Sequence, residues 1–334
     1  MRIGVAVIAL AFAGVARGEV VVKLGTLAPQ GSSWHEILKE MAAAWSAASA
    51  GEVKLRIYAG GVQGSEGDMT RKLGIAQLHA ASLSNVGIHD VAQEPKALSI
   101  PLFFASQAEA DCALERVRPL LEAALARRGF VAIQWSRLGA LQLYCTKPRR
   151  TLAELADAKL FAQDGDAKAV EGWRRAGLRP VVVSTAEMHP ALTTGMIDCV
   201  PSIPAYVLAT RLFERARYRM DLDWGYFYGV TVVRSDAWER IPAAVRPALL
   251  EAARAAGRRA DAETDRTNAA AIAAMERQGL ERVAVEEGSI RAAFERTHGF
   301  VREEVVPSAM FDALVEGRRA CASRTAGTGD RAPR

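Results

Sequence analysis

Val20-Val-Val-Lys-Leu-Gly-Thr-Leu-Ala-Pro-Gln-Gly-Ser-Ser-Trp-His35 is a strand, a turn and the start of a helix in sixteen residues. The β-branched run predicts a strand over 20–24, and Ala28-Pro-Gln-Gly-Ser-Ser33 is turn chemistry ending on capping residues. Trp34, Leu38, Met41 and Trp45 then recur at three- and four-residue spacing, one face of a helix. The same unit repeats outward from it. Strands are predicted over 53–58, 78–83, 130–135 and 141–145, with helices over 66–75 and 107–127 between them. Further on, strands over 159–162, 179–183 and 196–200 alternate with helices over 152–155, 167–176 and 186–194. Residues 224–233 read as another strand. Strands alternating with helices, each too short to be a domain, predict an α/β fold with largely parallel sheets. From Pro242 to Gln278 the composition is nearly all Ala, Arg, Glu, Leu and Asp, which predicts one helix of roughly 55 Å, long enough to bridge two domains.

Length and charge bound the function. A chain of 334 residues predicts two domains or one large one. Half of the residues are hydrophobic and 24% are charged, the balance of a globular protein with a sizeable core. The formal charge is +5, but the excess sits at the ends: Arg2 and Arg17 near the start, and Arg318, Arg319, Arg324, Arg331 and Arg334 against Asp330 near the finish. The remaining body holds 36 basic against 37 acidic residues, which gives no footprint for nucleic acid. Residues 1–18 combine one leading Arg, an apolar run from Ile3 to Val15 and small residues at Ala16 and Gly18, the pattern of a secretory signal peptide. The run is short of the ~20 residues that span a bilayer. We therefore expect export, with a mature chain from Glu19. Residues 321–334 are polar and read as a disordered tail.

The four cysteines, Cys112, Cys145, Cys199 and Cys321, contain no C-x-x-C and no zinc spacing with the five histidines. We expect Cys112, Cys145 and Cys199 to be isolated buried thiols and Cys321 to lie in the frayed tail, although bridges are chemically possible outside the cytosol. Catalytic motifs are missing. His35-Glu36-Ile37-Leu38-Lys39 ends on Lys39 where a zinc protease needs a second imidazole. Gly60-Gly61-Val62-Gln63-Gly64-Ser65 lacks the Lys-Ser/Thr that holds phosphates, and no G-x-S-x-G elbow is present. His79, His89, His189 and His298 stand apart in the sequence. The chain reads as non-enzymatic, with no metal and no cofactor.

Four segments, in order, resemble the solute-binding proteins of tripartite ATP-independent periplasmic (TRAP) transporters, the DctP-type family. They are Leu24–His35, Lys54–Gly64 with its Tyr-Ala-Gly-Gly-Val-Gln-Gly turn, Leu98-Ser-Ile-Pro-Leu-Phe-Phe104, and Ser184–Asp198 with Glu187, Ala191-Leu192 and Thr194-Gly195. The resemblance implies an α/β two-lobed periplasmic binding protein, type II-like, with crossover strands and one long helix spanning both lobes. It places lobe I at 19–140 plus 229–268 and lobe II at 141–228 plus 269–320. It also implies a ligand trapped as the lobes close, then delivered to the small and large membrane subunits of a permease.

One departure bears on the ligand. Typical members carry an Arg in a Leu-Lys-Ile-Arg-Val segment that pairs with the substrate carboxylate. The matching Lys159-Leu160-Phe161-Ala162 has Phe161 there, and a second basic position aligns with Leu141. A phenyl ring cannot replace a bidentate guanidinium. A branch of that family has aromatic residues in this segment followed by Glu-Gly-Asp, to which Gln163-Asp164-Gly165-Asp166 is similar. The aromatic candidates for the cleft are Trp34, Trp135, Phe161, Tyr206, Trp224 and Tyr226, with Tyr228 on the same strand face; core packing is the alternative for each. The polar candidates are Ser84, Asn85, Gln163, Asp164, Thr185 and Ser202. Arg137 is the available cation, and Glu187 is expected to brace its own helix. We expect a hydrophobic or amphipathic small molecule, with two alternatives: a small organic acid held by Arg137 and backbone donors, or a periplasmic sensor uncoupled from any permease.

Overall fold

The computed structural model describes residues 19–163 and 166–328. Nine strands form one sheet: β1 Val20–Thr26, β2 Val53–Tyr58, β3 Ala80–Ser84, β4 Phe130–Cys145, β5 Lys159–Gln163, β6 Arg179–Val183, β7 Cys199–Ser202, β8 Tyr218–Arg234 and β9 Glu281–Val283. Their order is β2-β1-β3-β8-β4-β7-β5-β6, with β9 on β8. The pairs β1–β2, β1–β3, β5–β6 and β5–β7 are parallel, as the alternation with helices requires.

Two long antiparallel strands make this one sheet with two ends. β3 pairs with β8 only over Gly229–Val233, and β7 pairs with β4 only over Gln142–Cys145. Between those contacts β4 and β8 pair with no third strand among the described residues. The sequence predicted two strands within 130–145 and a shorter one near 224. The structure keeps the strand going over 130–145 and bends it, with register shifts on either side of Gly139. Gly139 has φ +116°, and a Cβ on it would lie 2.2 Å from Asn268 Nδ2, so only glycine fits.

Asn268 belongs to the long helix Arg246–Glu276, 31 residues and therefore about 46 Å long. Its buried side chains, Leu249, Ala253, Ala256, Gly257, Ala260, Thr264, Asn268, Ala271 and Met275, recur every three or four residues and make one stripe. Small residues bring it close to β4: a Cβ on Gly257 would lie 2.8 Å from the Trp135 carbonyl oxygen. Leu249 to Ala260 pack with the helix Ser33–Ala48 in the first lobe, and Met275 packs with the helix core of the second. The bridging helix of the sequence reading is present.

Both sheet ends have apolar layers on two faces. The first lobe has one cluster around Trp45, Met41 and Val233 and another around Phe103, Leu121 and Tyr228. The second has one around Leu160, Met220 and Trp224 and another around Tyr144, Phe161 and Val207. Residues Val301 to Leu314 pack in the Phe103 cluster against the helix Gln107–Arg127, so this part of 269–320 sits with the first lobe's core.

The cysteine expectation is overturned. Cys145 and Cys199 are directly opposed across β4 and β7, with Cα atoms 4.1 Å apart, and form a disulfide. Cys112 and Cys321 form the other and tie the helix Gln107–Arg127 to the helix Ser308–Thr328. Separations of 54 and 209 residues carry no sign of proximity, which strand register and helix packing create. Cys321 accordingly lies in a helix rather than a frayed tail. The signal segment 1–18 and residues 329–334 lie outside the described residues.

Candidate functional site

Parallel strands of one α/β unit end together, and ligands bind beyond their carboxyl ends where the topology switches. The first lobe presents the ends of β1, β2 and β3 and the second those of β5, β6 and β7, with β4 and β8 crossing between. The residues that follow these strands define the site. Two segments of it, the Asn85 side chain and Asp164, lie outside the described residues, and Asn85 is placed only as the first residue of the short helix Asn85–Ile88.

On the first lobe, Ser32 caps the helix Ser33–Ala48, so Trp34 stands in its first turn after β1. Its ring is half-buried, and Nε1 donates to Thr264 Oγ1 at 3.3 Å. Thr264 in turn donates to the Arg137 carbonyl at 3.0 Å. One turn further along the long helix, Asn268 donates from Nδ2 to the Leu138 carbonyl and accepts from the Ala205 amide with Oδ1. Trp34, the bend of β4 and the helix Pro204–Ala209 of the second lobe are thus held by two adjacent side chains.

Ser84 ends β3 and donates from both its amide and its hydroxyl to Glu66, each at 2.6 Å, and the Gly87 amide adds a third bond at 3.1 Å. Sequence reasoning missed Glu66. The Ser65/Asp68 capping box fixes it in the first turn of the helix Glu66–Gly74, but its approach to Ser84 is a tertiary event. Burial pushes the Glu66 carboxyl up, against the pull of those donors.

On the second lobe, Gln163 ends β5 exposed, Thr185 is exposed after β6, and Ser202 is buried where β7 meets Gln142. Tyr206 is 37% exposed on the helix Pro204–Ala209. Glu187 accepts from the Ser184 amide and hydroxyl and so braces its own turn, as read from the sequence.

The rest of the aromatic set is core. Trp224 packs edge-on against Trp173 at 5.5 Å and Phe294 at 5.0 Å between ring centres. Trp135 and Tyr226 are buried in the Phe103 cluster, and Tyr226 donates to Asp223. Tyr228 donates to Asp111 at 2.8 Å. Alternation does place Trp224, Tyr226 and Tyr228 on one face of β8, but helices cover that face along its length. Trp135, Trp224 and Tyr226 are therefore corrected from cleft rings to packing. Phe161 is 6% exposed and buried with Tyr144, Val183, Met188 and Val207.

Arg137 is no free cation. Its guanidinium meets Asp111 at 3.2 Å, Asp265 at 2.9 Å and Asp261 at 3.9 Å, and its amide donates to Asp261 at 2.6 Å. Burial raises the Asp261 carboxyl above the usual range despite that amide and the guanidinium. Three carboxylates around one cation leave no positive charge to offer a ligand anion. Among the described residues no group of three His, Cys, Asp or Glu is placed to hold a metal, and no helix is long and apolar enough to cross a membrane.

The family model for DctP, the bacterial extracellular solute-binding proteins of family 7, matches residues 24–305. The chain belongs to that family. It is a solute-binding receptor and no enzyme, with the two-lobed α/β fold of its TRAP relatives. A TRAP periplasmic solute-binding protein of Chromohalobacter salexigens, solved with D-glucuronate, superposes with a TM-score of 0.81 at 19% identity, over 90% of this chain and 99% of that one. One of Desulfovibrio salexigens with orotic acid gives 0.80 at 16% identity, over 92% and 99%. A Bordetella pertussis receptor binding pyroglutamic acid gives 0.77 at 19%, over 90% and 99%. YiiZ of Salmonella typhimurium, itself uncharacterized, is 22% identical over 172 residues, half of this chain and 52% of its own length. The chain thus spans about half of that relative.

Proposed function

We propose that this receptor serves a TRAP-type secondary transporter outside the cytoplasm, in the periplasm. It captures a small hydrophobic or amphipathic solute between two lobes, 19–140 plus 229–268 with Val301–Leu314 packed on it, and 141–228 plus the earlier part of 269–320, and delivers it to the small and large permease subunits. Ligand binding then biases an open–closed equilibrium through its higher affinity for the closed form. The observation that carries the ligand class is the pair of Phe161 and Arg137. A buried phenyl ring stands where the resemblance puts the carboxylate-binding Arg, and the nearby Arg137 is consumed by three aspartates. We assign to the solute Ser84, Gln163, Thr185 and Ser202 at or just after strand ends, and Trp34 and Tyr206 on the helices that follow β1 and β7, with apolar Phe161 packed behind them.

A second reading, a small organic acid held without the usual Arg, is favoured by the acids bound in the similar structures. Native mass spectrometry of the gently purified mature protein, followed by denaturation and identification of the released molecule, decides between them. An apolar or amphipathic molecule supports the first. A carboxylate, or calorimetric binding of D-glucuronate or pyroglutamate, moves the assignment to the second.

A further inference from the structure

The junction between the lobes holds a titratable group with no part in the reading so far. His89 follows the short helix Asn85–Ile88 at the carboxyl end of β3, in the first lobe. Asp166 follows β5 in the second and caps the helix Ala167–Arg175 by accepting from the Ala169 amide at 3.1 Å. Lys96 lies on the single turn Glu94–Ser99, whose Ala97 and Leu98 belong to the first lobe's core. Lys96 Nζ meets Asp166 Oδ2 at 2.7 Å with the two side chains 12% and 25% exposed. This ion pair joins the segment Glu94–Ser99 of the first lobe to the residues after β5 in the second, and is largely shielded from water.

His89 completes the group. Its Nε2 is buried with no hydrogen-bond partner among the described residues. The charges acting on its ring are Lys96 and Asp166. Asp90, next in the chain, acts on Glu66 and approaches Gly67 in the helix Glu66–Gly74. A buried ring nitrogen without a partner is tolerable while the ring is neutral and costly once it carries a proton and a charge.

We propose that His89, Lys96 and Asp166 form an interlobe lock that holds the cleft shut around a neutral imidazole and lets it open when His89 takes up a proton. The lock regulates the same cleft and rests on the reading of the chain as a two-lobed solute receptor. In the closed junction an imidazolium would put a second cation beside Lys96 against one carboxylate, with no acceptor for its Nε2 proton. When the lobes part, water hydrates the ring and it titrates in its ordinary range.

The sign follows from linkage. With the Lys96–Asp166 pair made, burial first, and then Lys96, bring His89 down to about 4, with Asp166 opposing. Closing therefore expels a proton, so the closed form is favoured above the open-state pKa and loses ground as pH falls through it. With an open-state value near 6.5, the closed-to-open ratio falls about tenfold between roughly pH 7.5 and 5.5. A receptor so built holds solute near neutrality and sheds it on acidification.

The test is the interlobe distance distribution, by double electron–electron resonance, with spin labels at Val62→Cys and Met196→Cys. These positions are 68% and 53% exposed, the native disulfides stay intact, and no solute is added. The expected result is a pH-dependent shift toward longer distances in the otherwise native chain, no such shift with His89→Gln, and an open population at every pH with Asp166→Asn. A distribution independent of pH in the native background, or full dependence retained by His89→Gln, overturns the lock. Solute capture is scored separately by native mass spectrometry. Capture with pH-independent closure sinks the lock alone, and pH-dependent closure without any captured solute sinks the receptor reading alone.

Discussion

Positive charge is handled in opposite ways at Arg137 and at Phe161. On β4 a guanidinium is buried among Asp111, Asp261 and Asp265 at the bend between the lobes, while on β5 an apolar ring fills the position where the resemblance puts a guanidinium. The first arrangement fixes backbone: the Arg137 amide and carbonyl are both held by the long helix, through Asp261 and Thr264. The second packs its ring among Tyr144, Val183 and Val207, where no counter-ion is needed. At these two positions charge serves the bend of β4, and apolar packing serves β5.

Four substitutions break or sharpen that contrast. Trp224→Ala is expected to cost about 3–5 kcal/mol of stability, the range for a fully buried Trp, and to leave solute capture by the folded fraction unchanged. Thermal unfolding with native mass spectrometry checks this; a small stability loss with capture abolished would return the ring to the cleft. Gly139→Val forces a β-branched residue to φ +116° against Asn268, and about 3 kcal/mol of destabilisation is expected in a urea titration.

Arg137→Met removes the cation from three carboxylates. Because the site is partly exposed, about 2 kcal/mol is expected at neutral pH, less than for a fully buried pair. Asp261, whose carboxyl burial already raises, then loses the guanidinium that opposes burial, so folding takes up a proton there. The deficit relative to the native chain shrinks as pH falls from ~7 to ~5, which denaturation at a series of pH values measures. An unchanged stability combined with lost solute binding would make Arg137 the anchor after all. Phe161→Leu, the smallest change, is expected to cost about 1 kcal/mol and to weaken capture of an apolar solute, while D-glucuronate binding by calorimetry stays absent.

The α/β class, the long helix, read from Pro242 and found from Arg246, and the helix-bracing role of Glu187 were legible because each is local. A β-branched run, a 3.6-residue stripe and a capping box are written within a few turns of chain. The site was legible only in part. Ser84 ends β3 as expected, and Trp34 and Tyr206 lie in helices that follow β1 and β7, but Glu66 came unannounced, since its three donors come from Ser84 and Gly87, on the far side of a strand. Trp224 and Tyr226 show the opposite failure. Period-two alternation gives a shared face correctly and says nothing about whether water or a helix covers it.

By itself, then, the sequence determined most of the element types and the absence of a recognisable catalytic motif. Each is a property of residue identity and short-range period. Only tertiary structure decided that β4 and β8 run unbroken between the lobes, that Cys145 meets Cys199 and Cys112 meets Cys321, and that Arg137 spends its charge on three aspartates. These depend on register and on which faces are brought together across tens to hundreds of residues, where burial and partnership, rather than side-chain type, fix what a group can do.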